Sequence, residues 1–242
     1  MGWEVEVKSG MLMVTRSKKQ AIALPATLVV FSRLDSVTEG LSSMLATRRY
    51  DSYEAFESEG NPEERLAFLV DLQNLPQPLE VVHALRCHPE WRARMIWTQG
   101  KAGPECHALT DGAFEAVGNP LEQIDHCSVR WARANGGQPL RSQDEILLAL
   151  LWSHPQMSLD PVRDWSAPEL YRYPLLDALL DEGASEYWLR SLRQRRLVEG
   201  DGLVDRVRLC PRCRHGHLSF VDLCPECGPL RGSCGCQRLV AG

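Results

Sequence analysis

Between Ala26 and Val117 the chain switches repeatedly between short unbroken apolar runs and stretches whose apolar residues recur every three or four positions. Leu28-Val29-Val30-Phe31, Leu66-Ala67-Phe68-Leu69-Val70, Met95-Ile96-Trp97 and Ala113-Phe114-Glu115-Ala116-Val117 read as strands. Val37, Leu41, Met44 and Leu45 sit at helical spacing, as do Leu79, Val82 and Leu85 behind Pro78. A weaker strand falls near Tyr50 to Phe56. Apolar runs without alternation belong to strands buried on both faces, the situation inside a parallel sheet. Four or five βα units in roughly 110 residues predict an α/β fold, a flavodoxin-like doubly wound parallel sheet, over residues 26–135.

The flanks differ. Residues 1–25 read as a hairpin or extension, with Trp3, Val5 and Val7 on one side of Ser9-Gly10 and Leu12 and Val14 on the other. Asn135-Gly136-Gly137-Gln138-Pro139 is the clearest linker. Beyond it, residues 143–209 read as a small helical, winged-helix-like unit. One helix runs from Asp144 to Trp152, stopping before His154-Pro155. A second runs from Tyr173 to Asp181, and a third from a Ser185 cap to about Arg195. Leu197-Val198 and Leu203 to Leu209 then read as two strands around Gly200-Asp201-Gly202.

Composition adds two constraints. The 44% hydrophobic and 24% charged fractions are those of a globular chain. The longest apolar stretches, Leu66 to Val70 and Ile146 to Trp152, fall far short of the ~20 residues that span a bilayer, and the first thirty residues show no secretory leader. A soluble, cytoplasmic protein is the expectation. The net charge of −5 is unevenly spread: from Trp188 onward ten Arg face five acidic residues, whereas the preceding part holds seventeen basic against twenty-seven acidic. A basic end following an acidic body predicts two functional units.

The nine cysteines are just as uneven, with six between Cys210 and Cys236. Cys210-Pro-Arg-Cys213 and Cys224-Pro-Glu-Cys227 form two knuckles, and four thiolates satisfy tetrahedral zinc with no open position. One structural Zn²⁺ bound by Cys210, Cys213, Cys224 and Cys227 is therefore expected, in a zinc ribbon over residues 210–228 that is followed by a flexible tail, 229–242. His215 and His217 lie between the knuckles and read as loop or packing residues. Cys234 and Cys236 form a C-x-C pair with no further ligands after it.

Two resemblances follow from these segments. A strand ending in Asp71, then Leu75-Pro76, and a later strand ending in Thr98 resemble the two-component receiver domain. The resemblance implies a phosphoacceptor role for Asp71 and sets Thr98 at the family's Thr or Ser after strand 4. Where that family carries a metal-binding acidic pair, this chain has Ser32-Arg33-Leu34, and its Lys-Pro is replaced by Asn119-Pro120. Without those groups no cation neutralises an incoming phosphoryl group, so the expectation is a pseudo-receiver that keeps the core and not the chemistry. From about residue 145 to 228, Tyr171-Arg-Tyr-Pro-Leu-Leu176, Leu189 to Val198, Asp205 to Cys213, His217-Leu-Ser-Phe220 and Cys224 to Cys227 resemble the thaumarchaeal output domain. That resemblance implies a zinc-binding signalling output module.

Arg190, Arg193, Arg195, Arg196, Arg206, Arg208, Arg212 and Arg214 cluster along the third helix and the predicted hairpin. They suit a protein-contact face, with contact to nucleic acid as the alternative. No phosphate-binding loop, nucleophile elbow or H-E-x-x-H motif occurs, and His83, His88, His107 and His126 are dispersed. The expected function is a non-enzymatic signalling protein acting through a protein partner. The alternative is a zinc-containing DNA-binding transcriptional regulator that uses the arginine-rich helix.

Overall fold

A computed structural model describes residues 3–8, 11–16, 26–34, 45–62, 64–136, 138–167, 170–180, 185–200, 204, 223–224 and 228–229. The helix expected over Val37 to Leu45 lies outside these residues except for Leu45, as do Cys210, Cys213 and Cys227. An antiparallel hairpin opens the chain, β1 (Trp3–Lys8) with β2 (Met11–Arg16), in the register Val5 opposite Val14 and Val7 opposite Leu12. The central sheet contains β3 (Thr27–Phe31), β4 (Ala46–Tyr50), β5 (Leu66–Asp71) and β6 (Ile96–Gln99). All pairings are parallel and the order is β4-β3-β5-β6. Counted within this sheet the order is 2-1-3-4, the start of the flavodoxin-like arrangement.

Every residue of β3 and β5 is buried, and the alternation of side chains across the pleat divides them between two cores. Val29, Phe31, Phe68, Val70 and Ile96 face one core; Leu28, Val30, Ala67, Leu69 and Trp97 face the other. The first core receives Phe56 from α1 (Tyr53–Glu57), Val81, Val82 and Leu85 from α2 (Pro78–Cys87), and Cys106 and Leu109 from α3 (Pro104–Leu109). The second receives Ile124 and Cys127 from α4 (Pro120–Ala134). Phe56 sits among Phe31, Tyr50, Phe68 and Trp91, with ring centroids 5.2–5.7 Å apart.

The first core does not stop at the linker. Leu147 and Leu150 of α5 (Gln143–Ser153), Leu175 and Leu176 of α6 (Pro174–Leu179) and Leu192 of α7 (Ser185–Gln194) belong to the same buried cluster as the strands. A capping box starts α5: Ser142 Oγ accepts from Glu145 N at 3.2 Å, while the Glu145 carboxylate accepts from Ser142 N at 3.1 Å. A two-stranded ribbon, β7 (Val162–Arg163) with β8 (Tyr171–Arg172), precedes α6.

Three expectations need correction. The weak strand near Tyr50 to Phe56 lies earlier, at β4, and Ser52 instead caps α1 by accepting from Ala55 N at 3.2 Å. As an edge strand β4 leaves Arg48 and Arg49 exposed, so it lacks the apolar run that marks its neighbours. The fourth run, Ala113 to Val117, is not a strand. Ala113 makes a single parallel bridge with Thr98, and Phe114–Ala116 then tightens into a 3₁₀ turn. Leu197-Val198 is likewise not a strand but the end of α7. Leu197 N donates to Leu192 O and Arg196 N to Arg193 O, both at 3.0 Å. This is a Schellman closure with Arg196 at φ 59° in the left-handed position that glycine usually fills.

That position generates the first prediction. Arg196→Gly relieves the left-handed strain and should raise stability by about 1 kcal/mol, read as an increase in the urea midpoint. Arg193→Gly, inside the helix, should lower it by a similar amount.

Candidate functional site

The carboxyl ends of the strands meet at Asp71, the last residue of β5 and 2% exposed. Oδ2 accepts from Ser32 Oγ at 2.7 Å, and Oδ1 accepts from the backbone N–H groups of Gln73 at 3.0 Å and Asn74 at 3.2 Å. The Asn74 amide spans both oxygens, at 2.9 Å to Oδ2 and 3.2 Å to Oδ1. Burial pushes the acid up, but donation from Asn74, Ser32 and Gln73 outweighs it and holds Asp71 below the ordinary carboxylate range. Ser32 is itself fully buried and also accepts from Leu34 N at 3.1 Å. Asp71 thus ties β5 to the end of β3.

The neighbouring positions are spent in the same way. Thr98, 1% exposed, points its hydroxyl at Gly112 O, 3.4 Å away. Asn119 caps α4, accepting from Glu122 N at 3.3 Å. A cleft of about 350 Å³ lies nearby, lined by Arg33, Asp51, Tyr53, Gln77 and Glu80, and Asp71 does not form part of its wall.

A second polar site lies deeper, and nothing in the sequence pattern singled it out. Arg86 of α2, Asp111 and His154 have side chains with no exposure. Arg86 Nη2 donates to Asp111 Oδ2 at 2.8 Å, and its remaining donors reach Leu109 O at 2.7 Å, Arg92 O at 2.7 Å and Arg94 O at 3.0 Å. The same Oδ2 accepts from Ile96 N at 2.8 Å. His154 Nδ1 lies 2.6 Å from Asp111 Oδ1 and must carry a proton, because a carboxylate only accepts. Its Nε2 faces Ala93 O and Cys127 Sγ, each at 3.3 Å. Burial alone would depress the imidazole, but the Asp111 charge and hydrogen bond raise it to about 9. Burial would raise Asp111, and the charges of His154 and Arg86 bring it down to about 2.

This cluster joins two parts of the chain. Arg86 and Asp111 belong to the sheet unit, whereas His154 is the residue that ends α5. A second, more exposed joint lies on the surface, where Arg172 of β8 pairs with Glu105 of α3, with Asp164 at 3.3 Å and with Asp177 at 3.5 Å. Asp144 of α5 accepts from Trp188 Nε1 and pairs with Arg195, so one member of the arginine cluster is engaged within the chain while its side chain stays exposed.

Of the four expected zinc ligands, Cys224 is the only described one. It ends β9 (Leu223–Cys224), which pairs antiparallel with β10 (Gly228–Pro229), Gly228 opposite Cys224. Among the described residues no group of His, Cys, Asp and Glu forms a metal site, and no helix is long and apolar enough to cross a membrane.

Residues 137–233 match the family model of thaumarchaeal output domain 1. That match begins at the linker and takes in α5, His154 and the cysteines from Cys210 to Cys227. A low-resolution structure of the response regulator StyR is similar over 52% of this chain and 76% of its own, with 16% identity and a TM-score of 0.32. None of the curated proteins matches this chain.

The buried cluster fixes a pH profile. His154 titrates above its ordinary value of 6.5, so its contribution to stability is complete below pH 6.5 and lost as pH rises through about 9. Asp111 titrates below 3.8, so its contribution is complete above pH 3.8 and lost as pH falls through about 2. Between pH 6.5 and 9 the unfolding free energy should drop by something on the order of 2–3 kcal/mol more in the native chain than in His154→Gln. Urea titrations of both proteins across that range measure the difference, and parallel profiles would remove His154 as the titrating group.

Proposed function

We propose that this chain is a non-enzymatic signalling protein in which a pseudo-receiver is joined to a zinc-binding output module. The observation that carries the reading is the engagement of Asp71. Phosphoryl transfer to a carboxylate needs a free oxygen lone pair and a cation beside it. Both oxygens of Asp71 already accept from Ser32, Gln73 and Asn74, and the acidic pair that would hold Mg²⁺ is replaced by Ser32-Arg33. The family match over residues 137–233 supports an output role for the second part.

In this reading Cys210, Cys213, Cys224 and Cys227 hold one Zn²⁺, whose role is to fold the ribbon. The reversal between β9 and β10 fits that donor set. Signals then pass by protein contact. Pairing of Arg195 with Asp144 already neutralises one arginine of the cluster, which favours a protein-contact role for the arginine-rich helix over a phosphate-binding one.

Two measurements test these assignments. Treatment with acetyl phosphate and Mg²⁺ should leave the native chain unshifted on a phosphate-affinity gel. A shifted band that vanishes in Asp71→Asn would restore a phosphorylatable receiver. For the metal, elemental analysis should find one zinc per chain, falling to none in Cys213→Ser/Cys224→Ser while the sheet remains folded by circular dichroism. Full occupancy in that double variant would dismiss the ligand set.

A further inference from the structure

Three free cysteines lie among the described residues, and their surroundings differ. Cys106 is buried at 6% exposure with no base beside it. Burial, with the charge of Glu105, pushes its thiol up to about 11. Cys87 lies one helical turn from His83, Sγ to Nδ1 3.3 Å, and burial pushes its thiol up as well. Cys127 is different. Its Sγ is 3.3 Å from His154 Nε2, and the other nitrogen of that ring is fixed 2.6 Å from Asp111 Oδ1. Arg86 in turn holds Asp111 at 2.8 Å.

A nucleophile, a base within hydrogen-bond reach, and a carboxylate that orients the base make up the arrangement by which proteins activate a thiol. Buried thiols are ordinarily inert because a thiolate there lacks a counter-charge. At Cys127 the imidazolium of His154 supplies one. Cys127 is 4% exposed, so access depends on local opening and admits only a small uncharged reagent.

We propose that Cys127 is a modification site for hydroperoxides, with the His154 imidazolium as its counter-charge and proton donor and Asp111 as the positioning residue. The thiol proton is lost to solvent, the sulfur attacks one peroxide oxygen, the O–O bond breaks, and sulfur gives up two electrons to become a sulfenic acid. The proton on His154 Nε2 passes to the departing hydroxide to form water. The added oxygen has no room between Sγ and its two neighbours, His154 Nε2 at 3.3 Å and Ala93 O at 3.6 Å. Oxidation therefore displaces His154 and loosens the joint between the sheet and α5.

The full-length protein is exposed to hydrogen peroxide in the presence of dimedone, and adducts on the Cys127, Cys106 and Cys87 peptides are timed by mass spectrometry. Cys127 should label at least tenfold faster than either of the others. Most of that advantage should disappear in His154→Gln and in Asp111→Asn. Equal rates for Cys127 and Cys106 in the native chain would overturn the proposal without reference to any variant. So would an unchanged or faster rate in His154→Gln, which would mean that the imidazole merely shields the sulfur.

Discussion

One carboxylate, Asp111, has no contact with water and holds two cations that come from different parts of the chain. Arg86 reaches it from α2 and His154 from the end of α5, while the backbone N–H of Ile96 occupies a further lone pair. Buried charges persist only when each is paired and every donor is used. The guanidinium of Arg86 comes close to that condition by giving four of its five N–H groups partners, three of them the carbonyls of Leu109, Arg92 and Arg94. The loop from His88 to Met95, the segment leading into the 3₁₀ turn and the start of the second half are consequently held from one point. A hydrophobic contact at the same place would bury similar area without fixing orientation.

That fixed orientation matters because the apolar core is shared. Leu147, Leu150, Leu175, Leu176 and Leu192 pack into the cluster that contains Val29, Phe31, Phe68 and Val70. The stretch matching the output family thus completes a core whose other wall is the sheet. Across the linker between two packed helices, Gln138 N donates to Asn135 O at 2.8 Å. Charge asymmetry between the two parts of the chain separates their surfaces but not their interior.

Much of the sheet was legible because doubly buried strands carry near-continuous apolar runs, as β3 does over Leu28 to Phe31 and β5 over Leu66 to Val70. β4 was misplaced because an edge strand needs no such run: Thr47, Arg48 and Arg49 give no strand signal on their own. Phe114 to Val117 has the apolar content of a strand, yet a single bridge from Thr98 satisfies that edge and the chain turns away. The Asp71 position was readable from its place after a strand. Its engagement by Asn74 was not, since an Asn three residues on has many uses. The Arg86, Asp111, Cys127 and His154 cluster left no local trace. Its members lie 25 to 43 residues apart along their contacts, and each alone reads as an ordinary turn, helix or surface residue.

The hydrogen bond between Ser32 and Asp71 also constrains which residues can stand at position 32. An acidic residue at position 32 would bring a second carboxylate against Asp71, where a hydroxyl now donates at 2.7 Å. Two like charges at that range cannot both ionise without a cation between them, and one would stay protonated. Reaching a pair of carboxylates there by a single substitution would thus pass through a less stable state, and Asn74 would still occupy both oxygens. The serine keeps this end of the sheet at a single charge: any lone exchange of its hydroxyl for an acid is an uphill step.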